Sequence, residues 1–175
     1  RGRVDEIAGI ERAITEAQTL AANLEEAAAL VRLSSAEASA RDVLDVPGAV
    51  AWYVEVELEL ATLAHQLDQP SLARACLARA ASLAPDRHLH AAEAPPDLVA
   101  RHDAERSAHR ARPLATATVD APGAPRAAVF VDDVAVGTAP VRIEGVSGVH
   151  AIRVEAPGLL PWGRLVELSP GARPP

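Results

Sequence analysis

Apolar residues recur at helical spacing through the first two thirds of the chain and at strand spacing after that. From residue 5 to 33, Ile7, Ile10, Ile14, Leu20, Leu24, Leu30 and Val31 return at three-, four- and six-residue steps among Glu and Arg, which predicts one long amphipathic helix. Ser34 followed by Glu37 has capping-box spacing and predicts a second helix to about Leu44, broken by Pro47-Gly48. Val54 to Leu60 alternates as a strand would. Its continuation decides otherwise: Trp52, Val56, Leu60, Leu63 and Leu67, with Ala61 and Ala64 beside them, form a helical stripe. Gln69-Pro70 turns the chain, Ser71 can cap, and a helix is expected from Leu72 to Leu83, before Pro85. Pro95-Pro96 opens a further helix that ends near Arg112, where Pro113 stops it.

Beyond Pro113 the period changes to two. Strands are expected at roughly 115–120, 127–132, 139–144, 148–155 and 162–168, separated by turn residues. Asp132-Asp133 occupies a hairpin turn that asks for positive φ, which Asp133 accepts less readily than glycine does.

Two resemblances follow from these residues. Ala73, Leu77, Ala80 and Pro85, with Leu60, Ala61 and Ala64 before them, fall at the offsets of a tetratricopeptide (TPR) repeat, and the match covers about residues 54–87. Glu57 and Ala64 stand where that repeat has Trp and Tyr, so the segment is TPR-like. One helix pair cannot bury both its faces, so the helix expected at 5–33 must pack beside it as a neighbour or cap. Further on, Val129-Phe130-Val131-Asp132-Asp133, Gly137-Thr138-Ala139-Pro140 and Ala156-Pro157-Gly158 resemble the PEGA domain, a small all-β module of bacterial envelope proteins. Ala124-Pro125-Arg126-Ala127 replaces the tetrapeptide that names that family. The fold expected is therefore α+β in two modules: a TPR-like all-α bundle over 1–112 and a small antiparallel PEGA-like β-sandwich over 113–175. The resemblance implies an exported bacterial protein of the cell envelope or periplasm.

Composition narrows the partners. The formal charge is −7, with 11 Arg against 18 acidic residues up to position 110 and 6 of each after it. An acidic chain without a basic cluster is a poor ligand for phosphate backbones, so nucleic acid is excluded as an expected partner. No apolar run is long enough to span a bilayer. The sequence starts at Arg1 without a visible signal peptide and contains no Met, and so reads as one piece of a longer chain. Only 2% of residues are aromatic, which leaves the core to small aliphatics.

Candidate chemistry is sparse. Cys76 is alone and reads as a small buried hydrophobe. His88 with His90, and His102 with Asp103 and His109, offer too few convergent ligands for a metal and read as surface histidines. No nucleophile elbow or phosphate-cradling glycine loop occurs. No catalytic residue, cofactor or metal is expected, and the chain reads as a nonenzyme. Glu55, Glu57 and Glu59 read as a solvated helix face, Glu57 also falling at a packing position of the repeat. Trp52 with Tyr53 is expected to plug the helical core. Trp162 is expected to cover the β module or its seam with the helices, and for each of the two Trp the competing reading is an interaction hot spot. The function expected is that of a noncatalytic scaffold whose acidic helical surface takes a basic protein or peptide, through Glu55, Glu59 and Asp68, with Trp162 as a further contact and the β module as a spacer or a contact for an envelope polymer. The competing expectation is a sensory or glycan-binding module of a larger signalling protein, resting on Phe130 and Trp162.

Overall fold

The chain turns at Asn23-Leu24-Glu25, where neither glycine nor proline marks a break. In the structure, a computed structural model that describes residues 2–124 and 126–170, helix α1 runs Gly2–Ala22 and α2 runs Glu26–Asp42. Leu24 takes a left-handed φ of 62°. Its amide bonds to Ala21 O at 3.0 Å and that of Glu25 to Leu20 O at 2.9 Å, the paired closure of a Schellman motif that glycine usually supplies. The long helix expected over 5–33 is thus two. The helix expected from Ser34 does not begin there either: Ser34 lies inside α2 and its hydroxyl donates to Leu30 O at 2.8 Å, the back-bond of an interior serine and not a cap. Arg1, Pro125 and residues 171–175, which fall within the expected domain limits and the 124–127 tetrapeptide, lie outside the described residues.

The same turn closes the next pair. Helix α3 runs Ala49–Gln66 and α4 runs Pro70–Leu83, so 54–60 is helical. Between them Asp68 is left-handed at φ 52°, and the Gln69 amide reaches Ala64 O at 2.8 Å. The two turns, at positions 24 and 68, are farther apart than the 34-residue TPR period. Ala61, Ala64, Ala73 and Ala80 are buried, and methyl groups at such a crossing let helix backbones approach closely. Helix α5, Pro96–Arg110, packs against α4.

The pair α3 and α4 also buries a charge. Glu57 is fully buried, and its two carboxylate oxygens accept from Arg79 Nε and Nη2 at 2.6 and 2.8 Å. The solvated acidic face expected over Glu55, Glu57 and Glu59 therefore fails at Glu57, and the outer two are half-buried. One residue's rotation on a helix is about 100°, so Glu57 points away from the side that Glu55 and Glu59 share.

The strands are β1 Leu114–Val119, β2 Ala128–Val131, β3 Val134–Thr138, β4 Val141–Val146, β5 Gly148–Glu155 and β6 Trp162–Leu168. They form two antiparallel sheets, ordered β3-β2-β5-β6 and β1-β4. Against the five strands expected, six lie among the described residues. Asp132 and Asp133, at φ 49° and 64°, make a tight two-residue turn of the I′ kind. Val134 therefore pairs at once with Val131, and Ala139-Pro140 becomes the joint to β4.

Alternation along β5 and β6 gives the four-stranded sheet two occupied faces. Val149, Ala151 and Leu165 pack with the helical core, while Ile152 and Leu168 share a smaller core with Ala115 and Ile143 of the other sheet. At the first face the backbones nearly touch. Ser82 Oγ donates to Val149 O at 2.7 Å, and a Cβ on Gly163 would lie 2.3 Å from the Leu44 carbonyl.

Gly163→Ala should accordingly destabilise the protein by roughly 1–3 kcal/mol, since the obstructing atoms are backbone and cannot swing aside. Gly9→Ala, in an open position of α1, should stabilise by about 0.5–1 kcal/mol. Chemical denaturation of both variants against the parent chain measures the contrast, and equal effects would remove the close-approach argument.

Candidate functional site

On the helical side α1, α3 and the segment 87–93 enclose a groove of about 570 Å³. Ala17, Leu58 and Leu89 give it an apolar floor, and Gln18, Glu55, Glu59 and Glu93 stand around it. Glu55 and Glu59 are one helical turn apart on α3. Arg87 folds back over the groove, with Nε 2.8 Å from Glu55 Oε1 and Nη2 2.7 Å from Glu93 Oε1. Glu59 instead accepts from Gln18 Nε2 at 2.7 Å.

The electrostatics separate Glu59 from Glu93. Arg87 and the His90 amide hold the Glu93 carboxyl below its usual range. Burial pushes Glu59 up, and the charges of Glu55 and Glu93 push the same way against the opposing Gln18 hydrogen bond. Three carboxylates face one guanidinium, so the groove is acidic.

The remaining expected residues lie elsewhere. Asp68 is the left-handed residue of the α3–α4 turn and does not line the groove. Trp162 lines a second, apolar groove in the β half, and Phe130 has the Arg153 guanidinium 3.9 Å above its ring. Trp52 is half-buried against the helical core and Tyr53 is fully buried. Gln18, Arg87 and Glu93 were not read from the sequence. The first sits on another helix, and nothing marks Arg87 as returning to Glu55 across 32 positions.

Two histidines expected at the surface are buried. His102 and His109 lie on the inner side of α5, and both ring nitrogens of His102 are without a hydrogen-bond partner among the described residues. Burial, with Arg106 nearby, lowers the His102 pKa to about 4, and burial with Arg112 lowers that of His109. His150 on β5 is the opposite case. Its Nδ1 lies 2.6 Å from Asp132 Oδ2 and its Nε2 2.7 Å from Val146 O. A carboxylate and a carbonyl only accept, so both nitrogens carry protons and the ring is an imidazolium. Burial opposes that charge, and the Asp132 hydrogen bond and charge outweigh it, raising the pKa. Cys76 is buried, makes no disulfide and accepts from Arg79 Nη2 at 3.4 Å, and burial raises its thiol pKa.

Among the described residues no group of three or more His, Cys, Asp or Glu side chains is placed to hold a metal ion, and no helix is long and apolar enough to cross a membrane. No protein-family model matches the chain, and neither the curated proteins nor the solved structures include a significant match to it.

The histidines define a pH profile. His102 is neutral when folded, so as pH falls from about 6.5 toward 4 only the unfolded chain takes up its proton, and about 3 kcal/mol of stability is lost over that window. His150 works on the other side: its contribution is complete below about 6.5 and is lost as pH rises through its raised pKa. Stability by urea denaturation should fall on both sides of pH 6.5. His102→Leu should flatten the acid limb and His150→Gln the alkaline one; unchanged slopes would refute the assignment.

Proposed function

We propose that this chain is a noncatalytic interaction protein whose helical half receives a protein or peptide segment of cationic character. In this reading the two helical hairpins are a TPR-like module, and the two sheets form a PEGA-like sandwich that spaces the module or contacts the cell envelope, in the envelope or periplasm. The observation that carries it is the groove: an apolar floor ringed by Glu55, Glu59 and Glu93, with Arg87 the one guanidinium among them. Apolar contact would provide affinity there, and the uncompensated negative charge would steer and select a basic segment. Arg87 shows how a guanidinium fits, since it engages both oxygens of Glu55, at 2.8 and 3.1 Å. What supports a repeat-like reading is that α1–α2 and α3–α4 share their turn chemistry and alanine-lined crossings, although their turns are farther apart than the TPR period.

The test is a peptide selected from a random display library against the whole chain, with its affinity measured by fluorescence polarisation at several salt concentrations. Glu59→Arg should weaken it by about tenfold or more and flatten its salt dependence, as for loss of one close charge pair. Asp68→Arg, outside the groove, should leave both nearly unchanged. Selected peptides without Lys or Arg, or equal effects of the two reversals, would overturn this placement of the site.

A further inference from the structure

The second groove lies in the β half and is apolar. The β1-β4 sheet has two strands and the sheet it packs on has four, so one end of the larger sheet's outer face is uncovered. There Val119, Val154, Leu159, Trp162 and Val166 line a groove of about 620 Å³. At its lip Leu160, itself a lining residue, is 94% exposed, with Leu159 at 56% and Trp162 at 44%. Three large apolar residues within four positions form a patch of the kind that marks an interaction surface on a folded protein.

The charges around the groove narrow the choice of occupant. Asp120 lines the rim, and its carboxylate accepts only from the amide of its neighbour Ala121. Arg164, on the face of β6 that carries Trp162, has its guanidinium 5.2 Å from the Trp162 ring. Among the described residues neither makes an ion pair. A lipid headgroup or a peptide of single charge would pair with only one of these groups, whereas a second copy of the chain offers a partner to both. A surface that bears an acid, a base, an apolar projection and an apolar cavity is complementary to itself.

We propose that this face is a two-fold interface with a second copy of the chain, in which Leu160 of each copy enters the groove of the other and Arg164 meets Asp120. In such an isologous contact each pairing occurs twice, so one apolar residue and one charge pair contribute double. Trp162 lines the groove and is partly exposed, and a large aromatic side chain in that position is the usual kind of hot spot in an interface. The inference is independent of the helical groove, and it would set two such grooves on one particle.

Sedimentation velocity of the intact chain over the micromolar range tests it. The parent chain should show a concentration-dependent dimer. Leu160→Asp should abolish the dimer without changing the circular dichroism spectrum, because that side chain is already in solvent. Asp120→Arg and Arg164→Asp should each weaken association by about tenfold, and together restore it to near the parent value. A parent chain that stays monomeric, a dimer that survives Leu160→Asp, or a double charge swap that fails to rescue would each overturn the proposal. So would a monomer that binds a fluorescent fatty acid in this groove.

Discussion

Close backbone approach is the constraint on which the rest of this structure depends. With so few aromatic side chains, the core has little bulk with which to hold elements apart, and alanine and glycine stand at the contacts instead. Ala61, Ala64, Ala73 and Ala80 bring α3 and α4 together, and Gly163 brings β6 onto the backbone at Leu44. Packing at interior density then requires that elements fit at main-chain distance, because short side chains cannot rearrange to fill a gap. Among the described residues the largest fully buried side chain is Tyr53, and it is held by a hydrogen bond to Glu37.

Charged groups sit inside this close-packed frame, each with a built partner. Glu57 has Arg79, and His150 has Asp132, whose other oxygen takes the Ala151 amide at 2.8 Å. Breaking such a pair from one side leaves an uncompensated buried charge, which typically costs more than the pair contributes. Asp132 is therefore more than a turn residue. It accepts a left-handed backbone at the β2–β3 hairpin and from there fixes the ring on β5 and the strand's own amide.

Much of the helical layout was legible because it rests on periodicity. The stripe through Trp52, Val56, Leu60 and Leu63 outweighed a local strand-like alternation, and Pro96 marked a helix start, whereas α4 begins at Pro70 itself and Ser71, expected as its cap, lies inside the helix. The turn at Leu24 was not legible, because the motif there is a backbone hydrogen-bond pattern that leucine can adopt but does not advertise. The buried histidines were missed for a related reason: His102 and His109 carry no local signal of the neighbours that α4 and the sheet bring to them. Of the helical groove, Glu55 and Glu59 could be named from their spacing on one helix face. Arg87, Glu93 and Gln18 come to them from elsewhere in the chain, and only the tertiary fold joins them.

Strand β6 has one further property. Its even-numbered residues, Trp162 and Val166, look onto the apolar groove, and its odd-numbered ones, Gly163 and Leu165, onto the helices. At Gly163 no rotatable side chain lies between the strand and the α2–α3 corner, so that point lacks the soft layer that usually absorbs small displacements between packed elements. A push on the outer face of β6 is passed directly to the main chain at Leu44 and Asp45, which makes the strand a stiff mechanical link between the two halves of the protein.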